Sequence, residues 1–304
     1  MRDKYSVIVV TYNRLMLLKE CISCILNQSY EVSQIIIINN ASTDGTTEYL
    51  KTLKDNRFLI VNEESNLGGA GGFYEGLKVA STTDNDWVLI IDDDAMISSE
   101  YIERIDNFHR NNKDVLAFSG TVKTDNIIIT DHRRRIIKKY AKGEIPVPLS
   151  EYDGEFFSYD LSTFCGLIIK KEVISKIGLP RRDFFIQYDD TEYCMRIRKL
   201  TPIINVNLAI LTHKTTMLTE NGDHNSRWNW KIYYGTRNKV YSCFKHGFKL
   251  VILNYIFRII CGSIKDFLNP RISKKVSIYN MNMIFHAVFC GLVGKLGCNQ
   301  KYLP

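Results

Sequence analysis

The sequence predicts an α/β fold: a mainly parallel sheet with helices on both faces, plus a C-terminal helical extension. Three observations carry this. Short β-branched runs alternate with helix-length segments over the first 121 residues. A polar motif begins where each of the first four runs ends. Beyond residue 240 the pattern changes to long, basic, apolar-rich stretches.

The runs are YSVIVV (5–10), QIIIIN (34–39), RFLIV (57–61), DWVLII (86–91) and VLAFSG (115–120). Between them lie the helix-length segments 15–28, 46–53, 73–82 and 99–111. Continuous apolar strands joined by helices are the mark of a parallel sheet covered on both faces. From 122 to 160 periodicity is lost, and HRRRIIKKYAK (132–142) carries six basic residues and no acid. A solvated or lipid-facing loop accounts for that run more simply than nucleic acid. LSTFCGLIIKKEVISKIGLP (161–180) predicts a strand and a short helix stopped at Gly178, with Pro180 beyond. A helix from DTEYCMRIRKL, strand-like PIINV and LAILTH, and a helix over 228–246 follow. The tail segments 248–268 and 274–296 are split by Pro270. Polar or charged residues interrupt both, so helices lying in a membrane interface, or a helical packing subdomain, fit better than spanning helices.

The net charge of +7 is uneven. Residues 231–304 hold twelve Lys or Arg against Asp266 alone, a balance of +11, so residues 1–230 carry −4. A basic C-terminal quarter suits an anionic surface such as a lipid headgroup layer. Nothing after Met1 resembles a secretory signal, and the eight scattered cysteines read as core thiols of a reducing compartment. Cys21-x-x-Cys24 lies inside a helical segment, not at the helix start where a thiolate is stabilised.

Ligands of such sheets bind beyond the C-terminal strand ends, which directs attention to TYNR, NNASTDGT, NLGGAGGF and DDDA. Asp92-Asp93-Asp94 repel one another unless compensated, and a divalent cation bound to a diphosphate compensates them. In extended geometry Asp92 and Asp94 point the same way; the bland alternative is a solvated turn. NLGGAGGFYEG (66–76) fits neither the dinucleotide fingerprint nor the P-loop, since Tyr74 and Leu77-Lys78 break them. Its glycines still allow backbone to approach an anion. Asp189 to Glu192 has capping-box spacing, which leaves Asp190 as a candidate general base, cap and base being evenly balanced. His213, ending LAILTH, is a packing residue or the completion of an aspartate metal site. The polar stretch after it reads as a mobile loop or lid.

In this order and spacing, the motifs resemble family 2 glycosyltransferases of GT-A fold. The likeness runs through QYDDTEY, His213 and W-x-W-x-x-YY-x-x-RN (228–238), covering roughly 5–240. DDDA, GGAGGF and DDTEY together look most like the galactofuranosyltransferase branch, with rhamnosyltransferases near. The resemblance implies a catalytic domain over 1–240, with a nucleotide half (1–121) and an acceptor half (161–240). A basic helical tail (241–304) follows. It implies Thr11, Asn13, Arg14, Asn39, Asn66, Gly68, Gly69 and Asp93 at the nucleotide sugar. Asn39 stands where many members have an Asp that accepts from uracil. It implies Asp92, Asp94 and His213 as ligands of Mn2+ or Mg2+, Asp190 as base, and Asp189, Gly166, Tyr188 and Trp228 as sugar or acceptor contacts. The expected activity is inverting transfer of a hexose, galactofuranose from its UDP donor above all, to a lipid-linked or polysaccharide acceptor. The expected setting is cytoplasmic, peripheral on the inner face of an anionic membrane, with no nucleic acid and homo-oligomerisation left open. Nucleotidyl transfer shares the sheet, the acids and the glycine loop but needs no DDTEY base. A non-catalytic assembly factor needs none of these sets.

Overall fold

The computed structural model describes residues 2–137, 143–214, 230–270 and 272–303. The chain divides into two compact units. One comprises Met1–Arg135, Pro146–Arg182 and Asp190–Thr216; the other comprises Ile136–Ile145, Asp183–Asp189 and Met217–Pro304.

In the first unit, strands and helices alternate as the apolar runs predict. They are β1 (Tyr5–Thr11), α1 (Leu15–Leu26), β2 (Val32–Asn39), α2 (Thr46–Thr52), β3 (Phe58–Asn62), α3 (Gly68–Thr82) and β4 (Trp87–Asp92). Then come β5 (Ala95–Ile97), α4 (Tyr101–Asn111), β6 (Ala117–Thr124), β7 (Ile127–Ile128) and β8 (Arg133–Ile137). Later elements are β9 (Gly143–Pro146), of which only Pro146 belongs to this unit, β10 (Phe156–Tyr159), β11 (Leu161–Ser162), β12 (Leu167–Lys170), α5 (Lys171–Ile177), α6 (Asp189–Ile197) and β13 (Ile203–His213).

The main sheet has the order β10-β13-β6-β12-β4-β1-β2-β3. β3, β2, β1 and β4 are parallel, as are β6 and β13. β12 runs antiparallel between β4 and β6 and joins the two parallel sets. Every residue of β1 is buried, as expected of a strand covered on both faces. PIINV and LAILTH form one strand rather than two, with a register shift against β6 between Val206 and Ile210.

The glycine-rich stretch lies inside α3, not in a loop ahead of it. A Cβ at Gly72 would sit 2.5 Å from Val10 Cγ1, and one at Gly76 would sit 2.4 Å from Ile8 Cγ2. These glycines let the helix press onto β1. They do not bring backbone to a ligand, which corrects the sequence expectation for them.

Arg133 is fully buried. Its Nε donates to Asn205 Oδ1, Nη1 to His132 O and Ser162 Oγ, and Nη2 to Gly120 O and Cys165 O, all at 2.8–3.1 Å. All five guanidinium donors are used.

The second unit holds α7 (Trp230–Lys245), α8 (Lys249–Leu268) and α9 (Lys274–Val293). The boundary expected near residue 240 thus falls inside α7. Tyr233, Tyr234, Met283, Ala287, Tyr302 and Phe185 form its core. A Cβ at Gly291 of α9 would lie 2.6 Å from Arg237 O of α7, so that glycine sets their close approach. By length and composition α9 is long and apolar enough to cross a membrane, contrary to the expectation that polar residues disqualify it. It nevertheless buries Met283, Ile284, Ala287 and Cys290.

Candidate active site

The parallel register sets the frame. Val10 pairs with Asp92, so Thr11 and the acidic run emerge together at the C-terminal strand ends. β4 stops at Asp92, and Asp93 and Asp94 form a turn before β5. The extended arrangement that would aim Asp92 and Asp94 alike is therefore not formed. β5 pairs antiparallel with the end of β13, placing His213 opposite Ala95 and beside Asp94.

Asp93 is buried, accepts from Thr11 Oγ1 at 2.7 Å, and meets Arg14 Nη1 at 3.2 Å. The same Nη1 lies 2.6 Å from Asp94 Oδ2. Asp94 Oδ1 is buried and faces His213 Nε2 at 3.1 Å. When Nε2 carries a proton it donates to Oδ1, and when both ring nitrogens are protonated the two are an ion pair. When Nε2 carries none, the oxygen has no hydrogen-bond donor and two lone pairs converge.

Burial, then the Asp94 and Asp93 charges, push Asp92 up to about 7. Burial likewise lifts Asp93 to about 6, against Thr11 and Arg14. Burial opposes ionisation of Asp94 too, but His213 and Arg14 hold it below the usual carboxylate value. His213 is pulled the other way: burial lowers it and Asp94 raises it further. His132 lies edge-on to His213 at 5.3 Å, donor or acceptor to Thr163 Oγ1 at 2.7 Å; burial, then Arg133, push it down to about 3.

A divalent cation suits this donor set. The buried Asp94 Oδ1, the imidazole Nε2 facing it and an Asp92 carboxylate too crowded to ionise freely are what a hard or borderline cation relieves. Among the described residues, no three His, Cys, Asp or Glu side chains already stand in ligating geometry. Arg14 holds part of the acidic charge instead.

The other expected residues divide. Asn13, with left-handed φ of 53°, accepts from Thr43 N at 2.7 Å and fastens the TYNR loop to the NNAST loop. Asn39 is buried; its Nδ2 donates to Thr47 Oγ1 and Asn62 Oδ1, and its Oδ1 accepts from Ser42 N. With both ends engaged it braces β2 and β3, and the uracil-reading role expected of it is not supported. Thr11, likewise buried, holds Asp93 rather than facing a ligand. Asn66 accepts from Gly68 N and from Asn40 Nδ2, and Asn40 Oδ1 accepts from Leu67 N. Gly68 has φ of 72°, which glycine adopts without strain. A Cβ at Gly69 would meet nothing within 4 Å, so its backbone face is open.

Gly166 is buried with φ of 85°, and its carbonyl accepts from Tyr101 Oη at 2.7 Å. It is a core turn residue, not the sugar contact expected. Asp190 is half-buried and Asp189 buried. Asp190 Oδ1 accepts from Thr191 N, and Thr191 Oγ1 accepts from Arg134 at 2.8 Å. Glu192 pairs with Arg196 at 2.9 Å. In the second unit, Tyr188 donates to Glu144 at 3.2 Å. Trp228 and most of the lid expected after His213 lie outside the described residues.

Sequence reasoning missed three contributors: Asn40, His132 and the Arg237-Asn238 pair. Asn238 Nδ2 lies 2.8–3.1 Å from the carbonyls of Phe184, Ile186 and Gln187. Arg237 donates to Phe184 O and Gly297 O. Phe185, Gln187 and Tyr188 all have positive φ. The pair thus fixes a strained segment that runs directly into Asp189 and Asp190. The RN dipeptide was visible in the sequence; its target, backbone carbonyls, carries no side-chain signature.

Residues 6–176 match the family description Glycosyl transferase family 2. The chain belongs to that family. An uncharacterized glycosyltransferase of Haemophilus influenzae is 32% identical over 142 residues, 46% of this chain and 42% of the relative. Glycosyltransferase GlyG of Streptococcus pneumoniae is 31% identical over 107 residues, 34% of this chain and 35% of the relative. The matches therefore span less than half the length of these relatives. Galactofuranosyltransferase GlfT1 of Mycolicibacterium smegmatis is 22% identical over 193 residues, 62% of this chain and 64% of that protein. Among solved structures, S. aureus TarS 1–349 in complex with UDP-GlcNAc superposes with a TM-score of 0.60 at 17% identity, covering 94% of this chain and 81% of that one. GalNAc-T7 with UDP, GalNAc and Mn2+ superposes at 0.62 and 13% identity, covering 79% and 47%. This family 2 chain has the GT-A fold expected of its motifs.

Proposed function

We propose that this family 2 chain is an inverting, metal-dependent glycosyltransferase. It moves a hexose, galactofuranose in this reading, from a uridine-diphosphate sugar to a hydroxyl of a lipid-linked or polysaccharide acceptor, the alternative being a rhamnosyltransferase or other hexosyltransferase of the family. The observation that carries the reading is the strand-end cluster of Asp92, Asp93, Asp94, Arg14 and His213, with the buried Asp94 Oδ1 facing His213 Nε2 at its centre. The UDP ligands of TarS and GalNAc-T7 support a nucleotide-sugar donor, and the motif set with the GlfT1 match supports galactofuranose.

Asp92, Asp94 and His213 would hold Mn2+ or Mg2+. A bound divalent ion supplies neutralisation of the charge that grows on the leaving diphosphate. Thr11 and Arg14 keep the acidic turn in position, and the open backbone at Gly69 faces the phosphates. Asp190 takes the proton of the acceptor hydroxyl as its oxygen attacks the anomeric carbon from the face opposite the diphosphate. One displacement inverts the centre, and no covalent nucleophile is needed.

The test is turnover of UDP-galactofuranose, UDP-galactopyranose, UDP-glucose and dTDP-rhamnose with lipid-linked acceptors, reading nucleotide release. UDP should be released, release should stop in EDTA and return with Mn2+ or Mg2+, and Asp94→Asn should abolish it. Undiminished turnover in excess EDTA overturns the metal assignment. Turnover with dTDP-rhamnose alone moves the donor to the rhamnosyl branch, and pyrophosphate in place of UDP overturns glycosyl transfer itself.

A further inference from the structure

Helix α8 packs on its own unit through one face, where Val251, Ile252 and Ser263 are buried. Its other face is apolar and bare. Leu250, Leu253, Phe257, Ile264 and Leu268 are 46–71% exposed, and their spacing of three, four, seven and four residues puts them on one stripe. At 100° per residue, Lys249 lies along one edge of that stripe and Arg258 and Lys265 along the other, all three exposed. The single acid of α8, Asp266, falls on the packed side. Arg258 also lines a cleft of about 410 Å³ with Lys239, Asn254 and Tyr255, giving that edge a polar recess.

We propose that this face of α8 docks the protein on an anionic membrane surface. An apolar stripe bordered on both sides by cations is the arrangement of a helix lying in the interface, its apolar side chains among the acyl chains and its lysine and arginine heads at the phosphates. Charge excludes the other obvious occupant, a second copy of the chain. Two α8 stripes laid together bring Lys249, Arg258 and Lys265 of each copy alongside those of the other, with no acid of α8 on either edge to pair with them; Glu144, which shares the cleft with Arg258, is engaged by Lys239 at 2.6 Å. Anionic lipid supplies the missing partner. The proposal rests on α8 alone and stands apart from the transferase reading, because binding is measured without turnover.

The experiment is co-sedimentation of the full chain with vesicles of phosphatidylglycerol and phosphatidylcholine, against phosphatidylcholine alone. Binding is expected only with the anionic lipid, and it should weaken with added salt. The triple variant Lys249→Gln, Arg258→Gln, Lys265→Gln should bind about a hundredfold more weakly, three contributions of about 1 kcal/mol each. Leu253→Gln with Phe257→Gln should release the protein even at low salt. These side chains are exposed, so both variants should keep the wild-type thermal midpoint, which verifies folding. Failure of the full chain to bind anionic vesicles at low salt overturns the proposal, as does binding unaffected by either variant. A dimer in sedimentation velocity that Leu253→Gln with Phe257→Gln dissociates assigns the face to a second copy and overturns it as well.

Discussion

Gly69, Gly72 and Gly76 stand within one helix, yet only the last two are fixed by packing. Ala at 72 or 76 drives a methyl into Val10 or Ile8 of a fully buried strand, and overpacking of that kind costs about 1–3 kcal/mol. Gly69→Ala meets no neighbour and should leave stability within about 1 kcal/mol or raise it. Urea midpoints separate the three, and loss of donor binding in a stable Gly69→Ala variant would locate the phosphates at its backbone. Asp190→Asn keeps the side chain's shape and removes the carboxylate proposed as base. Turnover should fall by about 100-fold or more with donor affinity retained. Near-normal turnover there, with collapse in Asp189→Asn, would exchange the two roles. The acidic turn was legible as a candidate site because three adjacent acids after an apolar strand have no cheap structural use. The roles of Thr11, Asn39 and Gly166 were not, because a polar or glycine residue at a strand end reads the same whether it faces a ligand or a buried neighbour. Only the partner decides, Asp93 for Thr11 and Tyr101 for Gly166.

Among elements, the parallel strands β1 to β4 were readable to within two residues, whereas β6 runs four residues past its apolar run and β13 merges two expected strands. A strand buried on both faces, such as β1 or β2, must be continuously apolar. β8, β9 and β10 were not foreseen, since short strands with mixed burial carry no steady period. α3 began five residues earlier than its apolar pattern, because glycine lowers helix propensity while tertiary packing selected it here. α7 yields the most specific test at this scale. Asn238→Ala removes the donor shared by three carbonyls of the strained 184–187 segment; Phe184 O keeps Arg237, while those of Ile186 and Gln187 lose Asn238 Nδ2. A loss of roughly 2 kcal/mol in stability is expected. If the segment orients the acids that follow it, kcat should drop while the KM for the donor holds. Asn238→Asp, which retains the shape without the donor, should not restore it. A variant with unaltered kcat would reduce the clamp to a structural brace.

For the molecule as a whole, the eight thiols offer a direct check on packing. All are free; Cys298 is exposed, Cys24 and Cys261 are partly covered, and Cys21, Cys165, Cys194, Cys243 and Cys290 are buried. Burial pushes Cys194 up to about 12 and raises Cys21 and Cys165 well above the ordinary thiol value. Native protein should show one fast-reacting thiol by maleimide labelling, and unreduced denatured protein should show eight. Fast labelling of Cys21 would contradict its burial and point to a reactive Cys21-x-x-Cys24 pair. The charge contrast between the first 230 residues and the rest was plain in composition, but which helix face presents the cations required the packed side of α8 to be known. Arg133 has a consequence for how the structure comes together. Its five acceptors come from Gly120, His132, Ser162, Cys165 and Asn205, spread over 86 positions of chain. A guanidinium surrenders its water at a loss until all of them are present. An intermediate that has closed β1 to β6 but lacks β13 must therefore keep Arg133 wet and the sheet's far side open. β13 thus supplies both the Asn205 that lets the charge be sealed in and the His213 beside the acidic turn, so that burial of one residue and completion of the site depend on a single strand.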